Sequence, residues 1–246
     1  MKEFDYIKKS PLFEPVNPSL KLLERAGQIP SIYILNNLLK IKNISFVAQS
    51  SKTNKFEDLY EPRIYEKGEV QTRENSWHDF FNALVWHSFT QSKRAINYLH
   101  YCLQKKRYPE KQRLPAENML TIFDEHGAII LSKNALLHDL IRERRWHELF
   151  WQRREQIKSE LQIIIFGHGL YEKALNPYVG LCAHSLLLLC EDSKSVDSLV
   201  CEYLLEKNFN LRTKDLSPVP ILGFPGWWES NSEEAFYSNT NYFRTK

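Results

Sequence analysis

The sequence is poor in the residues on which several common site types depend. Its eight glycines are few and scattered, and neither a phosphate-loop nor a dinucleotide-binding spacing occurs among them. The four cysteines, Cys102, Cys182, Cys190 and Cys201, form no Cys-x-x-Cys pair. That excludes a zinc knuckle and a disulfide framework, and it leaves free thiols, with Cys201 in an apolar helical stripe as the example of a buried one. No Gly-x-Ser-x-Gly elbow is present and no cysteine stands beside a basic residue at a helix start, so an activated serine or cysteine nucleophile has no support. No window approaches the roughly 18 uninterrupted apolar residues of a membrane span. The first six residues carry charges where a signal peptide needs an apolar run, so the expected location is cytoplasmic, without membrane association. An excess of either charge is also missing. With 33 basic and 30 acidic residues the net charge is +3, too small to point to nucleic acid as a partner.

Apolar and aromatic mass is plentiful. Of 246 residues 43% are hydrophobic and 13% aromatic, enough for an ordinary core and incompatible with a disordered chain. Leu20 to Leu39 carries helical spacing broken by Gly27 and Pro30, which predicts two short helices meeting at a bend. Residues 49–55 are polar enough for a solvated loop, and Lys67-Gly68 predicts a hairpin within residues 60–70. Ser76 and Asp79 announce a helix from Trp77 to about Phe89, and a second helix follows from Ser92 to Lys106. Met119 to Leu131, with Asp124-Glu125-His126-Gly127 between two apolar runs, predicts a hairpin with a polar tip. Helical stripes extend from Leu136 to about Glu160. Leu161 to Phe166 is a buried-strand pattern with a helix starting just after it, and Leu181 to Leu189 is expected to be helical, as is the Val196 to Leu204 stripe closed near Asn208. The fold expected is α+β, a mostly helical single domain over 1–246 with a small sheet or hairpins, a leader over 1–19 and an extended strap over 217–246.

Two constellations carry chemistry. His78, Asn82 and Trp86 share a helical face at steps of four with Asp79 beside it, so imidazole, carboxamide and carboxylate can converge on one pocket. The plainer alternative is that Asp79 is a capping acid and His78 serves a backbone carbonyl. At the end of the predicted strand, His168 lies between glycines and four residues before Glu172, a spacing a metal can bridge and also that of an ordinary surface pair. The glycines leave room for a substrate at the backbone. His184, in an apolar run, matters only if it meets the others; otherwise it is a hydrogen-bonded core residue. The arginines between Arg142 and Arg154, interleaved with Trp146 and Trp151, are diluted by Glu143, Glu148 and Glu155 and fit a solvated helix face.

Four blocks together, residues 72–86, 121–128, 166–173 and 218–228, resemble those of the bacterial domain-of-unknown-function family numbered 3025. The resemblance implies an intracellular bacterial protein of one domain and brings no activity with it. It also implies that the His78-Asp79, His168-Glu172 and Pro-Gly-Trp-Trp blocks belong to one unit and meet in space, with Trp227 and Trp228 as pocket walls; a strap anchored by aromatic residues is the alternative.

The expectation that follows is a metal-dependent hydrolase acting on a small molecule, with His78, His168 and His184 as ligands to Zn, Mn or Fe, Asp79 or Glu172 as ligand or general base, and Asn82 with Trp227 and Trp228 contacting substrate. The competing expectation is a non-catalytic module that binds a ligand or a protein. Oligomeric state is not written in the sequence.

Overall fold

A computed structural model describes residues 2–23, 28–50, 55–190 and 194–246. In chain order the elements are α1 (Lys2–Lys9), α2 (Asn17–Leu23), α3 (Ile32–Leu39), β1 (Ser45–Ala48), α4 (Tyr60–Lys67), β2 (Glu69–Thr72), α5 (Trp77–Ser88), α6 (Thr90–Arg107), α7 (Pro115–His126), β3 (Gly127–Ser132), α8 (Ala135–Arg142), α9 (Arg154–Glu160), β4 (Leu161–Ile165), α10 (His168–Ala174), β5 (Cys182–Leu189), α11 (Val196–Lys207) and β6 (Ser217–Pro220). The fold is α+β and mostly helical. Two small sheets complete it. One is the parallel pair β1 and β2; the other has four strands in the order β4-β3-β5-β6, with β3 antiparallel to β4 and parallel to β5. Among the described residues no helix is long and apolar enough to cross a membrane.

Local chemistry explains several boundaries. The Ser76 hydroxyl accepts the Asp79 N–H at 3.3 Å and starts α5, and the Ser195 hydroxyl does the same for α11 through Ser198 at 3.2 Å. Strand β4 and helix α10 stand where the pattern places them. Two expected hairpins are instead helix ends. Gly68, with φ of 69°, is the left-handed residue that closes α4. Residues 115–126 form α7, whose first turn has Pro115 and the Glu117 carboxylate accepting the Leu114 N–H at 2.8 Å. The apolar run 181–189 is instead the strand β5, hydrogen-bonded between β3 and β6; a short apolar run without polar alternation does not by itself separate a strand from a helix. The predicted stripe through Glu160 is interrupted at Arg144, φ 57°, and continues as a π-helical turn over Glu148–Gln152 before α9. The expected bend at Gly27 and the loop residues 51–54 lie outside the described residues.

Strand β3 is buried along its whole length, and α5 buries every residue from Phe80 to Trp86. Each large apolar side chain enclosed this way contributes about 1.5–3 kcal/mol. Ile7, Leu12, Phe13 and Val16 of the leader join the same core. The C-terminal segment edges the sheet through β6 and then runs through short 3-10 turns, with Tyr237, Tyr242 and Phe243 buried. The arginines of 142–154 are engaged locally: Arg145 and Arg153 with Glu148, Arg142 with Asp139, and Arg154 with the Asn231 carbonyl. The cysteines are free thiols. None is fully buried, and Cys182 is exposed, contrary to the expectation for them.

His138 on α8 is 1% exposed and its Nε2 has no hydrogen-bond partner. Burial, with Arg142 nearby, lowers its pKa from 6.5 to about 4. The folded state therefore holds this imidazole neutral where the unfolded chain protonates it. The associated stability is complete above pH 6.5 and is lost as pH falls toward about 4. In His138→Leu, the drop in urea midpoint between pH 7 and pH 5 is expected to be smaller than in wild type; an identical drop excludes His138 as a source of acid sensitivity.

Candidate metal centre

Three helix ends meet on one side of the core. His78 sits in the first turn of α5, Glu125 in the last turn of α7, and His168 opens α10 directly after β4. Their side chains converge: the two Nε2 atoms are 3.1 Å apart, and Glu125 Oε2 lies 3.5 Å from His168 Nε2 and 3.9 Å from His78 Nε2. Two nitrogens each about 2.1 Å from a shared ion stand roughly 3.0–3.4 Å apart for angles between square and tetrahedral. The imidazole pair is already at that spacing. The carboxylate, on a half-exposed side chain, needs a shift of a few tenths of an ångström. Among the described residues this trio is the one group of His, Cys, Asp or Glu placed to hold a metal ion.

The two glycines flanking His168 allow the convergence. A Cβ on Gly167 would come within 2.6 Å of the Glu125 carbonyl, and one on Gly169 within 2.8 Å of Glu125 Oε2. What approaches the backbone here is the end of α7, and the glycines serve that contact, not the substrate contact expected from the sequence.

Each imidazole is backed by a second carboxylate. His78 Nδ1 is 2.9 Å from Glu172 Oε2, and His168 Nδ1 is 3.7 Å from Asp124 Oδ2, a charge contact beyond hydrogen-bonding reach. With its Nδ1 protonated toward Glu172, His78 turns its Nε2 lone pair to the shared space; the buried His168 Nδ1 has no hydrogen-bond partner, and only the nearby charge of Asp124 favours the same arrangement there. Burial pushes the Asp124 carboxyl up, but the ammonium of Lys93 at 2.5 Å, together with His168, holds it below the usual range. Lys93 also donates to Asn82 Oδ1 at 3.0 Å, and Asn82 Nδ2 donates to the Tyr60 hydroxyl at 3.0 Å. Burial lowers His168 to about 3, which keeps the ring neutral at neutral pH, with one nitrogen lone pair available to a cation. The Glu125 carboxyl is raised by burial against the pull of His78. The trio opens on a cleft of about 720 Å³.

The expected site residues separate into those the cleft gathers and those it leaves elsewhere. His78 and His168 meet, and Glu172 braces the first of them. Asp79 lines the cleft, but its carboxylate is held by Arg73, through the N–H at 2.6 Å and through Nε and Nη2 at 2.9 Å each. Although burial favours its neutral form, that guanidinium keeps the Asp79 carboxyl ionised below its usual range. Asn82 also lines the cleft, with both ends of its amide occupied as described. His184 lies on β5, opposite Gly127 and Pro218 in the sheet, and is outside the trio. Trp227 and Trp228 are half-buried against the core and do not border the cleft; Trp227 meets Phe224 at 5.6 Å. The residue missed was Glu125, dismissed as part of a polar turn. A signal for it was present in Pro115, Glu117 and the apolar Met119, Leu120 and Phe123 at helical spacing, which would have put Asp124 and Glu125 at the end of a helix.

The profile of a family described as "Protein of unknown function (DUF3025)" matches residues 44–246. No curated protein and no solved structure matches the chain.

Proposed function

The chain belongs to the DUF3025 family of proteins of unknown function, so its activity has to be argued from its own site, and we propose that it is a cytoplasmic bacterial metal-dependent hydrolase acting on a small molecule. One observation carries this: two imidazole Nε2 atoms and a carboxylate oxygen face a common point at ligand spacing, with a further carboxylate behind each imidazole. Such a two-nitrogen, one-oxygen set suits Zn, Mn or Fe and leaves coordination positions open toward the cleft. A bound divalent cation would supply a polarised water and a Lewis acid for a scissile carbonyl or phosphoryl group. His78, His168 and Glu125 would hold it, and Glu172 and the Asp124-Lys93 pair would fix the imidazole orientations. The cleft volume is in the range typical of small-molecule sites.

Elemental analysis of the purified protein is expected to find near-stoichiometric Zn, Mn or Fe. Hydrolysis of a panel of model esters, amides and phosphoesters is expected to stop on chelation and return on re-adding the metal. Absence of metal, with no rise in melting temperature on adding Zn or Mn, would leave the 3.1 Å contact as a hydrogen-bonded imidazole pair in a non-catalytic binding cleft.

A further inference from the structure

Beyond the metal centre the cleft continues along the seam between α6 and α7. Lys93, Asn97, His100, Gln104 and Arg107 recur at steps of four and three, so α6 turns one polar face to the seam. The two helices are pinned at both ends, by Lys93 with Asp124 at 2.5 Å and by Arg107 with the fully buried Glu117 at 2.9 Å. Interpolating between these ties puts His100 close to the level of Thr121, which is four residues, or about 6 Å of helix, from Glu125.

Two groups bordering this stretch are incompletely satisfied. Arg73 and Arg107 are neutralised by Asp79 and Glu117. Arg113, exposed on the cleft wall, meets no carboxylate among the described residues, and its one contact is a long hydrogen bond from Nη1 to Thr121 Oγ1 at 3.4 Å. His100 also lines the cleft. It is 5% exposed and its Nδ1 is an orphan, with the buried Glu61 carboxyl close enough to interact with the ring. An enclosed polar group without a partner is destabilising, and a ligand that bonds to it relieves that.

We propose that this end of the cleft is a subsite for an oxyanion group, a carboxylate or a phosphate, which docks on Arg113 and Thr121 while His100 hydrogen-bonds the part of the same molecule leading back to the metal centre. The guanidinium fork is the side chain best matched to such a group. Asp79 and Asp124 carry their own counter-charges, and although the Glu61 carboxyl also lines the cleft, the charge met at the Thr121 end is that of Arg113. The helical spacing sets the oxyanion roughly one turn from the bond to be cleaved, which describes a small bifunctional substrate. That the anion is part of the hydrolysed molecule rests on the proposed hydrolase; the anion subsite itself does not.

The test is a titration of metal-free protein with glutarate and, separately, with inorganic phosphate, at fixed ionic strength, followed by the NMR signals of the His100 imidazole. Saturable shifts are expected with at least one anion, with Kd raised tenfold or more in Arg113→Gln; whichever anion binds more tightly identifies the group. His78→Ala is expected to titrate like wild type. Loss of metal binding with anion binding intact would remove the hydrolase alone. No saturable shift with either anion, or equal Kd in Arg113→Gln, overturns the subsite whatever the metal result.

Discussion

If the trio holds a divalent metal as proposed, His168→Ala is expected to lower affinity for it by well over 100-fold, seen as loss of metal after dialysis and as a metal-independent melting temperature. The side chain is buried, and its Nε2 is the atom closest to both other members of the trio. Removing it leaves two donors, too few to retain an ion against a chelator. Glu172→Gln makes the comparison quantitative. Its carboxylate touches His78 Nδ1 from behind, and loss of such a bracing contact typically costs 10–100-fold in metal affinity. The expected order is therefore wild type, then Glu172→Gln, then His168→Ala. If His168→Ala retains stoichiometric metal, the ion sits elsewhere and the trio is not its site. A fall in stability without any change in metal content would instead make His168 a packing residue.

The largest effect on stability is expected at Asp124. Lys93 is buried at 3% exposure, and its ammonium depends on Asp124 Oδ1 at 2.5 Å and Asn82 Oδ1 at 3.0 Å. Asp124→Ala leaves that charge enclosed with only the Asn82 amide and the Trp86 ring for company, and removal of one member of a buried pair costs about 3–5 kcal/mol. Urea unfolding measures it as a lower midpoint. The double variant Lys93→Met, Asp124→Leu has no uncompensated charge and is expected to recover most of the loss, because a buried ion pair contributes little beyond an apolar replacement of similar size. A loss under about 1 kcal/mol for Asp124→Ala would mean that water reaches Lys93 and that the pair is effectively exposed.

Two of the three residues of the trio were legible in the sequence. His78 is recognisable because the helix that carries it is signalled within four residues, by Ser76 and Asp79, and because an imidazole in so apolar a helix needs a reason to be there. His168 is recognisable because β4 ends at Gly167 and a helix follows. Glu125 was hidden by Gly127, a residue as compatible with a hairpin turn as with the junction between a helix and a strand. Asp79 and Asn82 both reach the cleft. Their residue types fit a site, but Arg73, Lys93 and Tyr60 saturate them, and which partner reaches a polar side chain is not written in its own neighbourhood. His184 failed as a ligand candidate because residues 182–189 form a strand in the middle of the sheet.

Composition, caps and periodicity were sufficient to establish a mostly helical α+β chain, the starts of α5, α10 and α11, and the absence of phosphate-loop, zinc-knuckle and serine-elbow chemistry, since each of these depends on interactions within a few residues. Only the packed molecule decided that the ends of α5, α7 and α10 share one cleft, that Glu125 belongs there and His184 does not, and that the tryptophans of the C-terminal segment stay outside. The physical reason is distance along the chain. His78 and His168 are 90 residues apart, and what brings them within hydrogen-bonding distance is the burial of apolar faces on many other residues, together with two glycines small enough to let the end of α7 close on them.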